Sequence, residues 1–147
     1  MNADSPPPEP LASAPGFLLS WAGRRMAAEF ARGLEPLGIQ PREFGVLNLI
    51  DAHPGITQQE LGAGALVDPS SMVAVLDDLE ERGWAERRAH PTDRRKRAIH
   101  LTPAGKRLLN RARAVGGKAV AELLAPLSAS EVSELRRLLR KIARAED

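Results

Sequence analysis

The sequence predicts a mainly α-helical fold with a small β hairpin, on three observations. Apolar residues recur at helical spacing through six segments. Five of those segments open on a capping side chain with a proline or an acid close behind it. Two short extended runs, Trp84 to Ala89 and Arg97 to Leu101, flank the turn formers His90-Pro91-Thr92-Asp93.

Residues 1–15, MNADSPPPEPLASAP, contain five prolines and few large apolar groups, too few to offset the entropy of ordering, so a disordered tail is expected. A single domain is expected over 16–147. From Gly16 to Leu37 the apolar residues Phe17, Leu18, Trp21, Met26, Phe30, Leu34 and Leu37 mark a first helix, and Gly38 stands where it would stop. Gln40, Pro41 and Glu43 supply a cap, a first-turn proline and a dipole-matching acid for a second helix, which His53-Pro54-Gly55 breaks. Thr57-Gln58-Gln59-Glu60 is a capping box that starts a short third helix.

A turn around Gly64-Ala65-Leu66-Val67 leads to Asp68-Pro69, a carboxylate cap with proline at the first helical position. Val73, Leu76 and Leu79 then follow at intervals of three in a fourth helix that ends at Gly83. After the hairpin, Thr102-Pro103 repeats the cap-and-proline signal and opens a long helix with Gly116-Gly117 as a candidate bend. A second capping box, Ser128-Ala129-Ser130-Glu131, precedes a sixth helix carrying Val132, Leu135, Leu138, Leu139 and Ile142.

Composition excludes several classes of function. There is no cysteine, which removes disulfides, thiolate metal sites and thiol redox chemistry. His53, His90 and His100 lack ligand spacing, so neither a metal nor another cofactor is expected. The chain has no phosphate loop, no Gly-x-Ser-x-Gly elbow and no His-Glu-x-x-His helix, so no catalytic residue is assigned and the reading is non-enzymatic. No apolar run is long enough to span a bilayer, and the N-terminus lacks the basic start and apolar stretch of a secretory signal, so a cytoplasmic protein is expected.

The net charge of +2 says little about partners, but its distribution says more. Helix, helix, short helix, helix, hairpin is the order of a winged helix-turn-helix, spanning about 40–102, with the fourth helix as the recognition helix and the hairpin as the wing. Pro69, Ser70 and Ser71 stand at the head of the recognition helix, where short hydroxyls and the positive helix end suit phosphate or base-edge contacts. From Glu86 to Arg97 six cationic side chains face two anionic ones, a local net charge of +4. Arg94, Arg95 and Arg97 at the tip suit a minor groove, and Asp93 reads as a brace that pairs with a nearby arginine or as the start of the turn.

These residues resemble the multiple antibiotic resistance regulator (MarR) family. The likeness runs from about Gly16 to the C-terminus and is sharpest in Val67-Asp68-Pro69-Ser70-Ser71, in Leu79-Glu80-Glu81-Arg82-Gly83 and in the wing. There Asp93-Arg94-Arg95, Leu101-Thr102 and Gly105 match the family's Asp-x-Arg, Leu-Thr and Gly spacing. The resemblance implies a dimer in which the first and last two helices interlock, a recognition helix in the major groove of each half-site, and Arg95 in the adjacent minor groove. It also implies a small-molecule inducer, as many members have. The chain departs from the pattern at Val73 and Ala74, where relatives often carry a polar or basic residue. The acidic residues Asp77, Asp78, Glu80 and Glu81 are expected to point away from phosphates.

The helices outside the winged segment, about 16–37 and 103–145, hold more apolar surface than such a domain needs, which favours a homodimer built partly on Leu135, Leu138, Leu139 and Ile142. Trp21, Arg24, Arg25 and Met26 on the first helix fit a crevice that offers a ring face and a cation to an anionic aromatic effector, with Trp21 and Arg25 as its expected contacts, and fit core packing and surface charge equally well. The expected partner is duplex DNA with a pseudo-palindromic operator, bound by a repressor. The rival function is a winged helix used as a protein-interaction module without sequence-specific DNA binding.

Overall fold

The computed structural model describes residues 7–65 and 67–143. Residues 1–6 of the expected tail, Leu66 of the turn before the fourth helix, and 144–145 at the end of the last dimerisation helix lie outside the described residues. Among the described residues six α-helices and three short strands follow one another: α1 (Pro15–Leu34), α2 (Pro41–Ala52), β1 (Ile56–Thr57), α3 (Gln58–Ala65), α4 (Pro69–Glu81), β2 (Ala85–Ala89), β3 (Arg97–Leu101), α5 (Pro103–Leu124) and α6 (Ala129–Ala143).

Local side-chain chemistry explains most helix starts. Gln40 and Glu43 form a capping box at α2. At α3 the Thr57 amide donates to Glu60 Oε2 at 2.8 Å, and the Glu60 amide donates to Thr57 Oγ1 at 3.3 Å. At α6 the Ser128 amide donates to Glu131 at 2.7 Å, and the Glu131 amide donates back to Ser128 Oγ at 3.2 Å. Each box satisfies amides that would otherwise lack a partner.

Four details differ from the sequence expectations. A 3-10 turn at Leu11–Ser13 already orders part of the segment read as a tail, and α1 begins at Pro15. The first helix ends at Leu34, and Glu35–Leu37 forms a 3-10 turn, because Pro36 has no amide to continue the α-helical ladder. A third strand, β1, joins the hairpin: β1 pairs antiparallel with β3, Ile56 opposite Ile99, so the sheet order is β1-β3-β2. And α5 runs as one helix through Gly116-Gly117. Gly116 serves packing, since a Cβ there would come within 3.2 Å of the Phe30 ring, whereas one on Gly117 would meet nothing within 4 Å; facing α5 from α1, a Cβ on Gly33 would collide with Val115.

One core joins the elements. Leu34 of α1, Leu47 and Ile50 of α2, Leu61 of α3, Met72, Leu76 and Leu79 of α4, Ile99 of β3 and Leu109 of α5 are all fully buried. The N-terminal half of α5 therefore belongs to the winged-helix core, while Val115 and Gly116 further along pack on α1. The rings of Phe30 and Phe44 meet edge to face, 4.9 Å between centroids, and tie α1 to α2.

Thr102 locks the wing to α5. Its hydroxyl accepts from the Gly105 amide at 3.0 Å and donates to the Gly83 carbonyl at 2.6 Å, so a single side chain caps one helix and holds the loop that leaves another. Gly105 lies so close beneath Trp84 that a Cβ there would run into the Trp84 carbonyl. Thr102→Ala is expected to cost about 1–2 kcal/mol of stability, measured by denaturant unfolding at fixed protein concentration; a change near zero would show that the cap and the loop bond are replaced by water.

Candidate nucleic-acid interface

Three elements meet at one open cleft of about 580 Å³: the start of α3, the head of α4 and the wing. Gln58 and Gln59 line it from α3, Pro69 and Met72 from α4, and Arg87, Arg95, Lys96 and Arg97 from the hairpin. Of the residues singled out from sequence, Pro69, Arg95 and Arg97 thus come together there. Ser70 and Arg94 are exposed beside it, and Ser71 is half-buried.

The wing tip is held by hydrogen bonds among its own atoms. His90 Nδ1 accepts from the Asp93 amide at 3.1 Å and the Thr92 amide at 3.3 Å. Asp93 Oδ1 accepts from the Arg95 amide at 3.0 Å and from Arg95 Nε at 3.3 Å. Of the two sequence readings of Asp93, the geometry realises both, since the same carboxylate shapes the turn and touches the arginine. These bonds from the Arg95 side chain and amide hold the Asp93 carboxyl below its usual range. A depressed folded-state pKa means that the brace is in place above the ordinary carboxylate range and is lost as the pH falls through the lowered value. The Arg95 side chain itself remains 91% exposed, so the ion pair adds little stability and the guanidinium stays available.

The head of α4 is more occupied than the sequence suggests. Asp68 Oδ1 accepts from the Ser71 amide at 3.0 Å and from the Ser70 hydroxyl at 2.7 Å. Hydrogen bonds from Ser71 and Ser70 hold its carboxyl far below the usual carboxylate range. The positive helix end read as a phosphate site therefore already faces a fixed carboxylate, and the donors of Ser70 and Ser71 are partly committed to it.

The acidic half of α4 has a partner within the fold. Arg87 on β2 donates to Asp77 Oδ1 at 2.7 Å and also bonds Glu80, joining the recognition helix to the wing. Further along, Asp78 faces Arg82 at 3.4 Å, whose guanidinium lies 3.9 Å over the Trp84 ring. Asp77, Asp78 and Glu80 are thus partly neutralised by fold-internal arginines. Gln58, Gln59, Arg87 and Lys96 are cleft residues that sequence reasoning left out of its site. The signal for the glutamines was available, because paired amides in the first turn of the third helix suit adenine edges.

The expected effector residues lie on α1. Trp21 is half-buried with its ring 6.0 Å from that of Phe17, and the cation over it is Arg24, 5.9 Å away, while Arg25 is exposed. Arg24 and Arg25 are both exposed, three and four positions after Trp21. On α6 Leu135 is half-buried, and Leu138, Leu139 and Ile142 are exposed, Ile142 to 66%. Exposed Leu18, Leu19 and Val120 add to the apolar surface of α1 and α5. Among the described residues no helix is long and apolar enough to cross a membrane.

Comparison with known proteins places this geometry. The profile of the MarR family matches residues 37–96, from the turn after α1 to the wing tip. The HTH-type transcriptional repressor Rv2887 of Mycobacterium tuberculosis is 36% identical over 127 residues, 86% of this chain and 91% of the relative. The solved structure of Rv2887 in complex with DNA has a TM-score of 0.76 at 34% identity and covers 87% of this chain and 96% of its own. The Rv2887 complex with salicylic acid has a TM-score of 0.72 at 35% identity, with 96% and 99% covered. With the winged fold, the cationic hairpin and relatedness along most of its length all in agreement, this chain belongs to the MarR family.

Proposed function

We propose that the protein is a transcriptional repressor that binds DNA in a sequence-specific way as a homodimer and lets go when a small anionic aromatic molecule binds. The observation that carries this reading is the wing: a self-bonded turn that leaves Arg94, Arg95, Lys96 and Arg97 in solvent beside the head of α4. A cationic tip of that shape suits a minor groove, while α4, with its inner face buried, presents the other face to the major groove. Pro69, Ser70, Ser71, Arg94, Arg95 and Arg97 are the proposed DNA contacts, and Asp93 sets the position of Arg95.

The exposed apolar residues of α6, with those of α1 and α5, are the proposed dimer surface, because Leu135, Leu138, Leu139 and Ile142 recur at helical spacing as an apolar stripe that no other element of the chain covers among the described residues. Two-fold symmetry then calls for a pseudo-palindrome with half-site centres about 10 bp apart. The protein is read as non-catalytic and cytoplasmic, where the DNA is. The salicylic acid complex of Rv2887 supports an anionic aromatic effector, with Trp21 and its neighbouring cations Arg24 and Arg25 as its proposed contacts.

The test is a titration of the purified protein onto the duplex upstream of its own gene, with and without a panel of aromatic acids. Saturable binding that competitor DNA of random sequence does not displace, and that one acid weakens, is the expected result. Equal affinity for operator and random duplex would remove the sequence-specific reading, and insensitivity to every acid would remove the effector.

A further inference from the structure

The outward face of α4 has an unusual chemistry for a helix that reads bases. Met72, Val75, Leu76 and Leu79 are buried, which turns Ser70, Val73, Ala74 and Asp77 outward together at helical spacing. Asp77 is bonded to Arg87, and the Ser70 hydroxyl donates to Asp68. At the centre of the face that leaves Val73, 42% exposed, and Ala74 beside it. No Arg, Lys, Asn or Gln occurs between Pro69 and Glu81, so α4 has no side chain able to make the paired hydrogen bonds that recognise guanine or adenine.

Val73 is the fifth residue of α4, within the N-terminal turns that reach base edges in a helix-turn-helix. The surface around it is suited to a nucleic acid: the cleft that begins at Pro69 and Met72 ends at Arg95, Lys96 and Arg97. In the major groove the apolar group that a valine can cover is the C5 methyl of thymine. Resting on the reading of α4 as the major-groove helix, we infer that Val73 is a specificity-determining residue that selects a thymine in each half-site by packing on its methyl group. Recognition along α4 is then mainly apolar. Ser70 and Ser71 at the head of α4, Gln58 and Gln59 on α3 and the arginines of the wing carry the polar contacts.

The experiment starts by selecting the bound sequence from a random duplex library with the full-length protein. Each thymine of the selected site is then replaced singly by deoxyuridine, which removes the methyl and leaves every hydrogen bond in place. One thymine per half-site is expected to be sensitive, with affinity falling about four-fold for one half-site and about fifteen-fold for both. In Val73→Ala the thymine-to-uracil ratio at that position is expected to fall toward one. Folding is not at issue there, because Val73 is exposed and alanine is the better helix former. A selected site indifferent to deoxyuridine, or the same ratio in Val73→Ala as in the wild type, overturns the inference and leaves DNA binding standing. Failure to enrich any sequence overturns the DNA-binding reading and this inference with it.

Discussion

The double variant Leu138→Asp with Leu139→Asp is expected to sediment as a monomer and to bind its operator about 10² to 10⁴ times more weakly. Both side chains are exposed on α6, so aspartate in their place disturbs little within one chain. Four carboxylates across a two-fold interface would instead lose apolar burial and put like charges into it. A monomer holds one half-site at a time, and the loss of effective concentration for the second accounts for the size of the effect. Far-UV circular dichroism should still report the helices, because the winged-helix core of Leu47, Leu61, Leu76 and Leu109 does not include α6. Unchanged sedimentation would place the dimer surface elsewhere.

Arg95→Ala is expected to weaken operator binding by roughly 1–3 kcal/mol per wing, and so by roughly twice that for a dimer with two wings engaged. Its side chain is nearly all in solvent, with Asp93 bonded at its base, so the free protein should keep its stability. The slope of log affinity against log salt should flatten by about 1 per lost contact, and the loss should be shared among A·T-rich flanks of different sequence. Ser71→Ala should behave in the opposite way, eroding discrimination between the operator and mutated half-sites while leaving the salt slope in place. If both substitutions left affinity and slope unchanged, wing and recognition helix would not be docked on DNA as proposed.

What was legible in the sequence is what is local. Thr57 and Glu60, Asp68 and Ser71, Thr102 and Gly105 each act across three residues, so the spacing alone placed the starts of α3, α4 and α5. The hairpin was equally plain, because its strands are joined by a turn whose bonds run among His90, Thr92, Asp93 and Arg95. Strand β1 was not, since two residues carry no periodicity and Ile56 is extended by pairing with Ile99, far along the chain. Gly116-Gly117 looked like a bend because glycine weakens a helix; what keeps α5 continuous is the Phe30 ring seated against it from α1.

The site shows the same division. A count of charge found the wing, but not that Arg87 is drawn out of it by Asp77 and Glu80 on another element. Nor does the pattern Asp68-Pro69-Ser70-Ser71 reveal that the cap competes with a phosphate for the same donors. On α1 the residues three and four positions after Trp21 are both arginines, and their spacing alone does not say that it is Arg24 that lies over the ring.

The salt dependence of binding to duplex DNA tests the central claim most directly, because it counts the phosphates neutralised whatever the sequence. Arg94, Arg95, Lys96 and Arg97 are exposed in each wing, and if both wings of a dimer neutralise one phosphate per cation the log–log slope should approach about −7, at roughly −0.9 per contact. A steep linear fall of that order, shallower in Arg95→Ala, is the expected result. Binding that does not change with salt, or no binding to any duplex, would contradict it and leave the wing as a surface for an acidic protein partner.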